Sequence, residues 1–352
     1  MPAVVLRADA YPEIGTGHLM RMLALGQALA DEGAGVIFIT YCTSAGLVDR
    51  LRLEGFELHL LDAPYPESSP SMISILLEKY PGAWVVLDGV QFDGRAVKMI
   101  KDAGRRVLLF DDMAANGPYE ADIVVNQNLH AHDLVYECAG ATALLLGSRY
   151  VILRREFAKY RNRPVVRNQE IDTPARAKNV IAALGGADPQ NLTLKALQAV
   201  LDVPDIAITA VVGAGNPNLQ SILKLESDAG GRLRVLHDVR EMSAVMAAAD
   251  MAVSSGGTTV WELCFMGLPA VVGRIAPIED YLINGLNRRG IFTDAGWYSD
   301  ASRADISRAV ESMAADAGLR LKMSQTARQV VDGLGAGRVL KAMRDAEAGR
   351  VV

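Results

Sequence analysis

The stretch VVLRADAYPEIGTGHLMRMLALGQALADEG, residues 4–33, decides how the chain folds. Its first residues, VVLRA, form a short apolar run that ends at a polar loop, the form of a buried strand. From Gly15 to Gly33, Leu19, Met22, Leu23, Gly26 and Leu29 or Ala30 recur at three- and four-residue steps, which places them on one face of a helix. GVIFIT, residues 35–40, then starts another strand. A strand, a glycine-bearing loop, a helix and a strand make the opening of a βαβ unit.

The same form repeats along the chain. AWVVLDG (83–89) and RRVLLFDD (105–112) are apolar runs ending in acidic residues, and ADIVVNQN (121–128) ends in amides. Residues 160–176, YRNRPVVRNQEIDTPAR, are polar, carry two prolines and read as a linker. Beyond them the pattern restarts with NVIAALGG (179–186), AITAVVG (207–213), LRVLHD (233–238), MAVSSGG (251–257) and PAVVGR (269–274). Alternating strands and helices predict parallel sheets in two Rossmann-like halves. The expected domains are 1–160, 176–330 and a helical tail over 331–352. Ligands of such sheets lie outside the carboxyl ends of the strands, so two halves predict a site in a cleft that they face.

Composition narrows the class. The chain has 352 residues, half of them apolar and 22% charged, which is globular composition. A net charge of −5 argues against a general nucleic-acid binder. The three cysteines, Cys42, Cys138 and Cys264, are too far apart for a disulfide framework or metal cluster, and read as buried thiols in a reducing cytoplasm. No signal peptide and no run long enough for a transmembrane helix are expected.

Three loops carry the chemistry. In the first, Gly15 and Gly17 let the backbone turn sharply and approach a ligand, beside a helix N-terminus suited to negative charge. This is not the six-residue dinucleotide fingerprint, because Leu19–Met20 stand where its third glycine belongs. His18 at this junction is a candidate base, since the positive helix end favours a neutral imidazole that can take a proton from water. The alternative is a histidine that merely caps or packs. Arg21, one turn on, either meets a phosphate or forms a local salt bridge to Asp9 or Glu13. In the second loop, ALGGADPQNLT (183–193), Gly185 and Gly186 end a strand, while Asp188 and Asn191 offer helix caps. In the third, Ser254, Ser255, Gly256, Gly257, Thr258 and Thr259 open a helix with hydroxyls and N–H groups able to surround a diphosphate. Glu262, four residues beyond Thr258, reads as a two-oxygen grip on vicinal ribose hydroxyls, the alternative being an exposed helix residue. Trp261 and Phe265 read as core. His130 and His132 lack zinc spacing, Asp111–Asp112 reads as a turn, and no G-x-S-x-G elbow is present, so neither a metal nor a serine hydrolase is expected.

Taken in order, RADAYPEIGTGHLMR, VVLDG, FDDMA…ADIVVNQN, LLGSRYVILRREF, LGGADPQNLTLKAL and SSGGTTVWELCFMGLP resemble the UDP-sugar hydrolase family of the pseudaminic acid pathway, whose relatives include spore-coat polysaccharide biosynthesis proteins. A more distant resemblance is to the N-acetylglucosaminyltransferase that makes lipid II. The resemblance implies a GT-B fold, with the nucleotide held mainly by the C-terminal domain. It implies that water displaces UDP from UDP-2,4-diacetamido-2,4,6-trideoxy-β-L-altropyranose, with no metal or cofactor. His18 matches the family's catalytic histidine, Ser254 to Thr259 its diphosphate loop, Glu262 its ribose ligand, and Asp88 falls in its VVLDG block. Two places depart from the pattern. Val90 and Gln91 follow Asp88 where an aromatic residue is common, and Ile278 and Glu279 replace an Asn-Gln pair, bringing a carboxylate toward a diphosphate. The expected partners are therefore a UDP-sugar and water. A glycosyltransferase on the same scaffold, or a UDP-sugar-binding protein without turnover, are the competing expectations. The tail leaves room for packing across both domains or for homo-oligomerisation.

Overall fold

The computed structural model describes residues 3–161 and 173–350. Of the segment expected to be a linker, residues 162–172 lie outside the described residues. The chain divides into two compact units, one of Met1–Arg155 with Gly333–Val352 and the other of Glu156–Asp332.

Unit 1 runs β1 (Ala3–Arg7), α1 (Gly17–Asp31), β2 (Gly35–Thr40), α2 (Ala45–Leu53), β3 (Glu57–Leu60), α3 (Ser69–Lys79), β4 (Trp84–Asp88), α4 (Gly94–Asp102), β5 (Arg106–Phe110), β6 (Ile123–Asn126) and β7 (Ala143–Leu146). The strands form one parallel sheet in the order β3-β2-β1-β4-β5-β6-β7. Period-two alternation sends successive side chains to opposite faces. Val4, Leu6, Phe38, Val86, Leu108 and Phe110 pack on one side with Leu19, Met22 and Leu23 of α1. Val5, Ile37, Ile39, Val85, Leu87 and Leu109 pack on the other with Met72 and Leu76 of α3 and Val97 and Ile100 of α4. Both faces are covered, so the central strands read as continuous apolar runs. Gly26 lets α1 lie close, because a Cβ there would come within 3.3 Å of Leu6, Phe38 and Phe56.

Unit 2 runs β8 (Asn179–Ala183), α5 (Leu192–Leu201), β9 (Ala207–Val212), α6 (Leu219–Asp228), β10 (Leu233–His237), α7 (Met242–Ala247), β11 (Met251–Ser255), α8 (Thr259–Met266), β12 (Ala270–Arg274), α9 (Glu279–Arg288), β13 (Thr293–Trp297), α10 (Arg303–Ala315) and α11 (Ala317–Arg328). Its parallel sheet has the order β10-β9-β8-β11-β12-β13. The final helix, α12 (Gly335–Glu347), returns to unit 1, where Val339, Leu340 and Met343 join the α1 side of the core.

The cysteine expectation needs correction. Cys264 is buried, but Cys42 is half-buried and Cys138 exposed. Cys138 lies outside the named strands, at an isolated bridge to Tyr119, so no sheet face covers it. No described helix is long and apolar enough to cross a membrane.

Candidate functional site

In both sheets the chain changes direction beside its first strand, at β1/β4 in unit 1 and β8/β11 in unit 2. Such switch points open a crevice at the carboxyl ends of the strands. The candidate residues gather at these two places.

In unit 1 the loop after β1 is anchored by Asp9. Its buried carboxylate accepts from Arg7, from the backbone N–H of Tyr41 at 2.8 Å and from Gln91 Nε2 at 3.2 Å. Gly15 takes φ +74° and its N–H closes a turn onto the Tyr11 carbonyl, a conformation that favours glycine. Gly17 is the first residue of α1 and His18 the second. Asp88 ends β4, next to β1, with no exposed surface. Its Oδ1 lies 2.8 Å from His18 Nδ1.

Arg21 ties this pair down. Its Nε and one terminal nitrogen donate to Asp88 at 2.7 and 2.6 Å, and its two terminal nitrogens donate to Asp112 at 3.1 and 3.0 Å. The guanidinium also lies over the Phe110 ring, 4.7 Å from its centre. Asn128 Nδ2 donates to Asp112 Oδ1 at 2.8 Å. Burial opposes the charge on Arg21, but Asp112 and Asp88 more than restore it. Burial alone would raise the Asp88 carboxyl, and Arg21, then His18, hold it below the usual carboxylate range. An ionised carboxylate can only accept hydrogen bonds, so Nδ1 of His18 carries a proton and, in the neutral ring, the lone pair is on Nε2. With 18% of its side chain exposed, the ring can meet a water molecule.

Arg21 therefore directs its donors to Asp88 and Asp112, and the local salt bridge that was one alternative for it does not go to Asp9 or Glu13. Asp112 and Asn128 were not singled out by sequence as parts of this cluster. The neighbouring Asp111 does what a turn residue does, accepting the N–H groups of Met113 and Asn116 and the Tyr119 hydroxyl. Val90 is 62% exposed in the turn after Asp88.

In unit 2 the two glycine loops differ. After β8, Gly185 takes φ +102°, and the backbone of Gly186 lies so close to Gly213 that a Cβ on Gly213 would come within 2.6 Å of it. Asp188 accepts the N–H groups of Leu192 and Thr193, both at 2.8 Å, and so caps α5. Asn191, expected to cap as well, makes no side-chain cap bond and instead donates to Ser221. The amino end of α5 is thus closed by a carboxylate. The amino end of α8 has no such cap from its own N-cap residue: Thr258 occupies that position without a side-chain bond to the helix. Gly256 and Gly257 precede it, and Thr258 is exposed. Ser254 behaves differently from its neighbours. It is buried in β11 and donates its hydroxyl to the Ala183 carbonyl at 2.8 Å, tying the two switch-point strands together. Ser255 is buried at the strand end, and Glu262 sits half-buried in the first turn of α8. Trp261 is core, and Phe265 meets Phe157 edge-on.

No family model matches the chain. Among solved structures, MurG of Acinetobacter baumannii superposes with a TM-score of 0.66 over 98% of this chain and all of its own, at 15% identity. The chain has the GT-B fold. HepE of Anabaena in complex with UDP-glucose superposes with a TM-score of 0.58 over 98% of this chain and all of its own, at 11% identity. Among curated relatives, the uncharacterized protein MJ1062 of Methanocaldococcus jannaschii is 25% identical over 276 residues, 76% of this chain; the match spans 55% of that relative's length. Spore coat polysaccharide biosynthesis protein SpsG of Bacillus subtilis is 24% identical over 96% of each chain. The UDP-2,4-diacetamido-2,4,6-trideoxy-β-L-altropyranose hydrolase of Campylobacter jejuni is 26% identical over 74% of this chain and 86% of its own.

Proposed function

We propose that the chain hydrolyses a UDP-sugar, giving UDP and a free 2,4-diacetamido-2,4,6-trideoxyhexose for surface polysaccharide or pseudaminic acid synthesis. The observation that carries this reading is the His18–Asp88 pair. It supplies an oriented imidazole that is partly exposed, and the relative from Campylobacter jejuni is named for this reaction. In unit 2, the amino end of α8 with Ser255, Gly256, Gly257 and Thr258 suits the diphosphate, and Glu262 suits the ribose. The loop after β8, with Gly185 and Gly186, is assigned to the same ligand.

The step is a single displacement. The oxygen of water bonds to the anomeric carbon while its proton passes to Nε2 of His18. The C1–O bond breaks, and its electron pair leaves with UDP. The departing diphosphate is an anion that needs little acid help, and N–H groups at a helix end stabilise its charge. Asp88 keeps Nδ1 protonated and steadies the imidazolium as it forms. Arg21 and Asp112 hold Asp88 in place. No cofactor is required by this scheme.

The test is turnover of the 2,4-diacetamido UDP-sugar in water enriched with heavy oxygen, without acceptor or metal, followed by NMR. Label in the free sugar with inverted configuration at C1 is the expected result. Label in UDP would mean attack at phosphorus and overturn the mechanism. UDP binding without release of sugar would favour a transferase, in which an acceptor hydroxyl replaces water before the same histidine.

A further inference from the structure

The carboxyl of Glu279 lies between the loops that follow β11 and β12 in unit 2 and is held by a backbone N–H. Its Oε2 accepts the Ile275 N–H at 2.7 Å, and the backbone N–H groups of Ala276 and Gly256 also favour its charged form. The residue is only 5% exposed. Its stem packs on the glycine turn: a Cβ on Gly256 would lie 2.8 Å from that of Glu279 and 2.6 Å from Ile283, and a Cβ on Gly257 would lie 3.9 Å from Oε1 of Glu279. The carboxyl is thus pressed against the turn that opens the amino end of α8.

We propose that Glu279 is this chain's own occupant of the phosphate cradle, and that a nucleoside diphosphate binds there only when this carboxyl has taken up a proton. The inference rests on the reading of unit 2 as the nucleotide-holding unit. Two anions cannot share one small set of N–H donors at low dielectric. The conflict can end by expulsion of the side chain or by its neutralisation. Expulsion would break the Ile275 N–H bond and unpack the stem from Gly256 and Ile283. Neutralisation asks little, because burial, only partly opposed by the N–H bonds and Arg274, pushes the carboxyl up to about 7.

The surroundings hold few rival titrating groups. On β12, Arg274 is engaged by Asp280 of α9, Asp294 of β13 and Asn284. Tyr298, after β13, is buried, donates to the Ser254 carbonyl, and has its phenol pushed up by burial. Residues 254–259 carry no acid or base, and the first ionisable side chain on α8 is Glu262.

Calorimetric titration of UDP between pH 7 and 9 tests this, because the terminal phosphate, with a pKa of roughly 6, is already ionised there. Wild-type affinity should fall by up to roughly tenfold per pH unit, the limit for linkage to one proton. Paired buffers of different ionisation enthalpy should show proton uptake on binding. Uridine, without phosphate, should bind independently of pH, and both Glu279→Gln and Glu279→Ala should lose the UDP slope. A slope that survives in both variants, or a wild-type affinity that stays flat or rises with pH, overturns the inference and leaves the nucleotide reading standing. Absence of UDP and uridine binding at every pH removes the nucleotide reading, and the inference with it.

Discussion

The Asp88 carboxylate and the His18 imidazole are 70 positions apart in sequence and 2.8 Å apart in the fold. β1 and β4 are neighbours in the sheet, with Arg7 paired to Leu87, so the loop after one strand meets the last residue of the other. If this pair activates water, its two halves should fail differently. His18→Ala removes the base and should lower kcat by roughly 10²–10⁴-fold while UDP still binds. Asp88→Asn leaves an imidazole but offers an amide in place of an obligate acceptor. It should lower kcat by a similar order with KM little changed. Steady-state kinetics beside UDP calorimetry separate the two parameters. Near-full turnover by His18→Ala would remove the mechanism.

Arg21 should matter to folding more than to ligand affinity. It neutralises two carboxylates, one of them wholly buried. Arg21→Met strands Asp88 without its cation and should cost about 3–5 kcal/mol, read by denaturant unfolding. The pH dependence has a definite sign. Asp88 titrates below its ordinary value of 3.8 in the folded chain, so its contribution is in place above that value. It is lost as pH falls through the lower, folded value. Acid unfolding of the wild type should therefore be steeper than that of Asp88→Asn.

The third loop separates residues that look alike in sequence. Ser254→Ala removes a hydroxyl that bonds the Ala183 carbonyl, so it should cost about 1 kcal/mol of stability and leave UDP affinity within about twofold. Gly256→Ala places a methyl group against Ile283 and Glu279 and should abolish measurable UDP binding. Thermal unfolding and UDP titration of both variants check the contrast. Weak UDP binding by Ser254→Ala would return that hydroxyl to the ligand.

Much of this site was legible in the sequence because strand ends announce themselves. GTGH, LDG, FDD and SSGG each follow an apolar run, and a parallel sheet sends all such ends to one edge. The partnership within the cluster was not legible, because it depends on strand order. Asp88, Asp112 and Asn128 converge only once β4, β5 and β6 are known to lie side by side. A local reading offered Arg21 the near acids Asp9 and Glu13, yet Asp9 is engaged by Arg7 and the loop N–H groups. Strands β3 and β13 escaped notice for a related reason. ELHL is a short edge strand with both faces partly exposed, and TDAGW has no apolar run. Each is a strand by virtue of its neighbour, β2 or β12. Ser254 shows the converse, since a hydroxyl at a strand end looks free in sequence until the Ala183 carbonyl beside it is located.

The return of α12 to unit 1 makes the end of the chain part of that unit's fold. Gly335 opens the helix where a Cβ would collide with the Val151 carbonyl oxygen at 2.1 Å and the Tyr150 carbonyl carbon at 2.6 Å. These are backbone atoms, which cannot turn aside as a side chain can. Beyond this contact, Val339, Leu340 and Met343 are buried with α1, and Trp84 Nε1 donates to Glu347 at 3.0 Å. Gly335→Ala should therefore lift the amino end of α12 and expose apolar surface along α1, costing about 2–4 kcal/mol by analogy with overpacked and cavity-forming core changes. Hydrogen exchange should show protection lost first in α12 and then in α1, with unit 2 unchanged. Gly337→Ala, where a Cβ meets nothing within 4 Å, supplies the control and should leave stability equal to or above wild type, since alanine is the better helix former. Equal stability in the two variants would show that the helix end yields to the methyl group, and that the buried side chains further along α12 carry the docking.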